Sequence, residues 1–254
     1  DSFAVVLGGA TGYRVIDPDA RIEGLAAQQY ADRSVMFGSV LEADSSGHGD
    51  FWSIPDMLNA ASVVNARAGH VKAGTYPNPV TSVPAGFMLW GDGVKTLITN
   101  SSSTGDEPLT VSNDSCVVRD LAVRSATGGA GGNQDAILVS GNHNILVDVT
   151  VVDADDDGIA LTGRFNRITD FRVVDSDDRG ISFEGGRNSL ITPVISSGGS
   201  SAVFIAAGDS CRISNGDLSG NIHAATGATR NIIIGTVYGT LKDYGTSTVE
   251  AGNQ

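Results

Sequence analysis

One spacing constrains this chain more than any other feature. Gly141, Gly163 and Gly185 stand 22 residues apart, and so do Asn144, Asn166 and Asn188. Segments 135–156, 157–178 and 179–200 therefore align as consecutive copies of one unit. Each copy begins with a short alternation of apolar residues: Ile137 and Val139, Ile159 and Leu161, Ile181 and Phe183. Alternation sends one side chain in two to a shared interior. No unit of this size can bury its own apolar face, so neighbours must stack. A fixed period near twenty with one strand per copy predicts a solenoid of parallel rungs.

The period extends outward with less regularity. The pattern around each repeated Asn recurs at Cys116, Cys211 and Asn231, giving a column Cys116, Asn144, Asn166, Asn188, Cys211, Asn231. Cys116 and Cys211 then lie four rungs apart, about 19 Å at roughly 4.8 Å per rung. That is too far for a disulfide, which needs Cα atoms within about 7 Å, so buried free thiols are expected. The interval from Cys116 to Asn144 is longer. It holds the Gly-rich stretch 125–133, and residues 100–107 form a polar stretch upstream; both are expected to be loops between rungs.

Ahead of the repeats, 1–45 lacks the period. Residues 2–7 form a short apolar strand pattern and 21–33 a helical one, with Gly24 weakening the latter. Residues 45–49 are a loop, and division into a leader segment 1–49 and a solenoid domain 50–254 is expected. Ser53 then opens a helix: Ser53 as polar cap, Pro55 in the first turn, Asp56 three residues after the cap. Ile54, Met57, Leu58 and Ala61 share its apolar face. A strand and turn follow over 68–76. Two strands around Gly91-Asp92-Gly93 are expected over 83–99, and a polar end after Gly245.

Together these features resemble the right-handed parallel β-helix of the pectin-lyase type: all-β, single-stranded, with repeated Asn residues stacked in an amide ladder. The order of helix, Gly-Thr-Tyr strand and Gly-Asp-Gly turn is similar to the lead-in of pectate-lyase-like proteins common in bacteriophage tailspikes. In those the helix covers the open end of the solenoid, where bare strand edges would otherwise face water. The resemblance implies a virion protein of tailspike or surface-spike type, a homotrimer attached to other virion proteins and contacting host surface polysaccharide without turnover.

The chain's formal net charge of −13 argues against nucleic-acid and anionic-membrane partners. It also argues against long-range attraction to acidic polysaccharides unless a cation or a local basic patch intervenes. There is no apolar run long enough to span a bilayer. His48, His70, His143 and His223 lack metal-ligand spacing and are expected as isolated surface or turn residues.

The chemistry concentrates in an acidic corner on two rungs, 153–157 and 175–179. Subtracting the period pairs Asp153 with Asp175, Asp155 with Asp177 and Asp156 with Asp178, and forms a second column of Asp135, Asp157 and Arg179. Like charges about 5 Å apart raise carboxyl pKa values, recruit a cation or turn into water. Asp155, Asp156, Asp177 and Asp178 are candidate Ca²⁺ ligands. Asn133-Gln134-Asp135, Asp156-Asp157 and Arg179-Gly180 resemble polygalacturonase motifs. That likeness implies Asp135, Asp156 and Asp157 as catalytic carboxylates, one protonating the leaving oxygen and another activating water. The departures are Arg179 where those hydrolases keep His, and the lack of a downstream Arg-Ile-Lys clamp. Arg179 beside Asp157 is expected to hold that carboxyl low, which suits a base or an ion pair and not a general acid. A lyase would instead need an Arg base, and Arg179, Arg164 and Arg187 are available. Asp178, Arg164 and Arg187 are candidate glycan contacts. Aromatic content of 6% makes no long sugar-stacking groove evident.

Overall fold

The computed structural model describes residues 6–9, 12–15, 40–100, 106–125, 134–196, 199–206, 210–246 and 248–253. The helical pattern at 21–33 lies outside these residues, as do most of the loops expected at 100–107 and 125–133. Two strands, β1 (Val6–Gly9) and β2 (Gly12–Val15), form an antiparallel pair by themselves. All other sheet pairing among the described residues is parallel, from β3 (Val40–Ala43) onward.

The helix among the described residues, α1 (Ile54–Val64), follows. The Ser53 hydroxyl accepts the Asp56 N–H, Pro55 occupies the first turn, and Asn65 closes the end in the left-handed region at φ 53°. Asn is among the few residues that visit this region readily. Ile54, Met57, Leu58 and Ala61 are buried against the first rungs, β3 and β4 (Ala68–Val71). Gly69 in β4 permits this: a Cβ there would sit 2.7 Å from Met57 Cε and 2.9 Å from Phe87 Cζ.

Each full rung carries up to three strands. The front sheet stacks β7 (Leu109–Val111), β9 (Ile137–Val139), β11 (Ile159–Leu161), β14 (Arg179–Phe183), β17 (Ser201–Ile205), β20 (Ile222–Ala224) and β22 (Leu241–Asp243). The back sheet continues from β3 and β4 through β6 (Met88–Thr99), which the short β5 (Gly74–Tyr76) also joins, and then β8 (Val117–Arg124), β10 (Ile145–Asp153), β12 (Arg167–Thr169), β15 (Ser189–Ile191), β18 (Arg212–Ser214), β21 (Ile232–Ile234) and β23 (Val249–Ala251). The end of β10 begins a short third row with β13 (Arg172–Val173), β16 (Val194–Ile195) and β19 (Asp217–Leu218).

Register follows the period: Ile137, Ile159 and Ile181 are partners, as are Ile145 and Arg167. Like side chains therefore stack inside. Leu89, Val118, Leu146, Ile168, Leu190, Ile213 and Ile233 form one buried file down the back sheet. Each such burial contributes about 1.5–3 kcal/mol.

The Asn column is a hydrogen-bonded ladder. Asn144 Oδ1 accepts the Cys116 N–H at 2.7 Å, Asn166 Oδ1 the Asn144 N–H at 2.8 Å, Asn188 Oδ1 the Asn166 N–H at 2.8 Å, and Asn231 Oδ1 the Cys211 N–H at 3.1 Å. The residue before each member is left-handed: Ser115, His143, Phe165, Arg187, Ser210 and Arg230, all at φ between 53° and 62°. That sharp turn exposes the next backbone N–H, and for Cys116, Asn144, Asn166 and Cys211 the amide on the following rung accepts it. Cys116 and Cys211 are buried and form no disulfide, as expected.

One local expectation is corrected. Residues 88–99 form a single strand, β6, rather than two strands around Gly91-Asp92-Gly93. The pairing with β8 slips between Trp90 and Gly93 and again between Gly93 and Leu97, so the Gly-rich stretch is a bulge within the strand. Strand β3 already joins the back sheet, N-terminal to the 45–49 loop.

Candidate functional site

The stacking that buries the Ile file also gathers charge where rungs enter the front sheet. Ala136 donates to the Asp157 carbonyl and Gly158 to the Arg179 carbonyl, which puts Asp135, Asp157 and Arg179 on three successive rungs. Arg179 Nη1 lies 3.4 Å from Asp157 Oδ2, and Nη2 lies 3.2 Å from Asp178 Oδ2. Carboxyl oxygens of Asp156, Asp157 and Asp178 all fall within 4.8 Å of one another. Asp155 and Asp177, the other two acids expected to share a cation, are not part of that trio. Asn133 of the hydrolase-like motif lies outside the described residues.

Burial divides the group. Asp157 is only 3% exposed, and its Oδ1 has no hydrogen-bond partner among the described residues. Asp135, Asp156, Asp178 and Arg179 are half-buried. Ser200 Oγ donates to Asp178, so the rung after the acids answers them with a hydroxyl.

The electrostatics overturn one expectation. Desolvation pushes the Asp157 carboxyl up to about 7; the Arg179 guanidinium pulls it down but is outweighed, with Asp156 and Asp178 adding to the rise. An ion pair at 3.4 Å does not compensate a carboxylate removed from water. Burial raises Asp135 to about 8, reinforced by repulsion from Asp157 and Asp156. Asp156 and Asp153 are raised too, first by burial and then by Asp178 and Asp175 respectively. Asp135 and Asp157 thus hold protons near neutral pH, and Asp156 and Asp153 are shifted in the same direction.

Beside it lies an aromatic run that the sequence did not reveal. The Arg179 guanidinium sits 4.2 Å over the Phe204 ring, His223 packs edge-on against Phe204 at 5.0 Å, and Tyr244 packs edge-on against His223 at 5.6 Å. Phe204 and His223 are register partners across β17 and β20. Tyr244 is 64% exposed, an unusual state for a ring in water. A track of carboxyls, one guanidinium and three rings therefore runs along the front sheet parallel to the solenoid axis.

Two more expectations change. His143 and His223 are not isolated, since His143 stacks on Phe165 with ring centroids 4.9 Å apart. His70 lies between Glu42 and Asp92, at 3.6 and 2.9 Å, and stacks on Trp90. Arg164 and Arg187 are exposed and border a separate pocket beyond the far end of the front strands. Among the described residues, no helix is long and apolar enough to cross a membrane.

No protein-family model and no curated protein matches this sequence. Among solved structures, the chain is similar to pectin methylesterase from carrot, with 13% identity and a TM-score of 0.50 over 85% of both chains. The fold is the right-handed parallel β-helix of the pectin-lyase type. Similarity is also found to a pectin methylesterase in complex with a hexasaccharide, with 12% identity and a TM-score of 0.44 over 83% of this chain and 80% of that one. For tailspike protein 3 of bacteriophage CBA120 the values are 13% and 0.35, over 74% of this chain and 48% of the tailspike. At these identities the likeness concerns the fold and leaves function to the site.

Proposed function

We propose that this chain is a polysaccharide-contacting β-helix of virion-spike type, holding host surface glycan along the front sheet. The observation that supports it is the axial run of Asp178, Arg179, Phe204, His223 and Tyr244. Aromatic faces and a guanidinium match the alternating apolar and hydroxylated faces of a sugar chain. Asp157, buried beneath Arg179, serves as a positioning residue that aims the guanidinium. The virion assignment rests on the resemblance of the lead-in segment, with the leader before the solenoid as the attachment part and a homotrimer as the working form. Light scattering that returns a monomer at micromolar concentration removes the spike assignment.

A second reading, glycan cleavage, is favoured by one observation: the half-buried Asp135 and Asp156 are both raised in pKa. One can keep its proton for the leaving oxygen while the other takes the proton of an attacking water as the glycosidic bond breaks. The Asp156, Asp157 and Asp178 oxygens, with Asp157 Oδ1 unpartnered, also suit a hard cation such as Ca²⁺.

Incubation with host surface polysaccharide and with polygalacturonate separates the readings. Saturable binding that Arg179→Gln weakens about tenfold, with no new reducing ends or unsaturated products, is the expected result. Products that disappear in Asp135→Asn, with the fold intact, install the cleaving enzyme instead.

A further inference from the structure

The left-handed turn before the ladder carries three large side chains on successive rungs. His143, Phe165 and Arg187 stand at φ 58°, 61° and 62°, a conformation that suits Asn or Gly far better than a ring. They form one stack. The His143 and Phe165 rings are parallel within 2° at 4.9 Å, and the Arg187 guanidinium lies 5.4 Å from the Phe165 centroid. Phe165 keeps 43% of its surface exposed. Nothing about turn geometry or solubility asks for this arrangement, and it leaves the Arg187 fork held in place at the surface.

Beside the stack is a pocket of about 410 Å³ lined by Thr162, Arg164, Phe165, Glu184 and Arg187 with the Gly185-Gly186 backbone. Arg164, Arg187 and Glu184 form no ion pair with a described residue. In a chain with 29 acidic and 16 basic side chains, two guanidiniums lining one pocket with a single carboxylate, Glu184, make it a local excess of positive charge. Their chemistry favours a planar carboxylate. Glu184 and Thr162 add acceptors and a donor suited to hydroxyl groups, and Glu184 disfavours a dense dianion such as sulfate.

We infer that this pocket is a binding subsite for a carboxylated sugar unit, a uronic-acid residue. Arg164 and Arg187 take the carboxylate, and Glu184 and Thr162 take ring hydroxyls. Phe165 is a positioning residue that fixes the Arg187 guanidinium. The subsite does not use Arg179 or its acids, so it stands or falls separately from the front-sheet track.

The test is saturation-transfer NMR and calorimetry on the full chain with D-glucuronate, with glucose and inorganic sulfate as controls. Glucuronate should saturate on the order of millimolar, and glucose should not bind. Arg164→Gln and Arg187→Gln should each weaken glucuronate about tenfold and leave the melting temperature unchanged. Phe165→Asn, which suits the turn, should keep or raise the melting temperature while weakening binding, and Phe165→Tyr should restore it. Glu184→Gln should raise sulfate affinity relative to glucuronate. Lack of saturable glucuronate binding, or binding indifferent to both Arg substitutions, overturns the subsite. Sulfate competing as well as glucuronate, with Phe165→Asn harmless, shows a bare anion contact and overturns the sugar assignment.

Discussion

Replacing Asn166 by Leu tests the ladder at its centre. Asn166 is 1% exposed, so its amide meets protein and not water. Its Oδ1 accepts the Asn144 N–H at 2.8 Å, and its Nδ2 donates to the Gly141 carbonyl at 3.0 Å. Leu removes both bonds and strands two buried backbone groups on the preceding rung. Its own N–H keeps Asn188 Oδ1, so damage runs in one direction along the solenoid. Each stranded group costs about 1–3 kcal/mol, and the extra apolar burial of Leu offsets part of it, leaving about 2–4 kcal/mol. For a chain this size that lowers the melting midpoint by about 4–16 °C. Denaturant titration gives the free energy, and hydrogen exchange gives the location: the Asn144 amide should lose protection while the Asn166 amide keeps it. Stability within about 0.5 kcal/mol of the parent, or equal loss at both amides, refutes the ladder as a directional device.

Gly163→Ala should be more damaging than its single methyl suggests, because the new Cβ would lie 1.9 Å from the Gly141 carbonyl oxygen; an unaltered melting curve would show that rungs can separate at this corner. Stability should fall as pH rises through about 7 and 8. Asp157 and Asp135 titrate there when folded but near 3.8 when free, so the folded form retains protons the unfolded chain releases. That contribution is complete below about 4, Asp135→Asn should flatten the decline, and stability increasing from pH 5 to 8 would contradict it. Millimolar Ca²⁺ should raise the melting temperature and chelator reverse it if Asp156, Asp157 and Asp178 share an ion, with no shift across that range leaving Arg179 as their counter-charge.

Much of the fold was legible because a solenoid repeats its own contacts. Once Gly141, Gly163 and Gly185 fix the period, subtraction of 22 gives the register of three rungs, the buried Ile pairs, and the neighbours Asp157 and Arg179. The capped helix was legible because Ser53, Pro55 and Asp56 act locally. The aromatic track was not. Phe204 keeps the 22-residue step from Ser182, but His223 follows after 19, and Tyr244 lies past the end of β22. Unequal rungs put these residues side by side only in three dimensions. Left-handed turns carry no single residue signature either, since Ser, His, Phe and Arg all occupy the pre-ladder position. The direction of the Asp157 pKa shift was not legible for a related reason: sequence register supplies the partner, Arg179, whereas the desolvation that outweighs it depends on how the corner closes.

The net charge of −13 poses a problem for any acidic glycan ligand, and the fold answers it by separating charge along the strand direction. The front strand β11 is flanked by Asp157 before it and Arg164 after it. Seven residues of chain span up to about 23 Å, which is within one Debye length of about 30 Å at roughly 0.01 M salt and well above the length of about 8 Å at physiological salt. At physiological ionic strength salt screens the guanidiniums of Arg164 and Arg187 from the acids at the other edge more strongly than at low salt. The acids in turn are partly neutralised, since burial keeps Asp135 and Asp157 protonated near neutral pH. The repulsion expected from composition is therefore smaller than the formal charge implies. Raising pH through about 8 would restore it by ionising the corner, and it would act over longer range as salt is lowered. An acidic polysaccharide lying on the front sheet would feel that change, whereas a neutral one would not, which makes salt and pH dependence of binding a reading of the glycan's own charge.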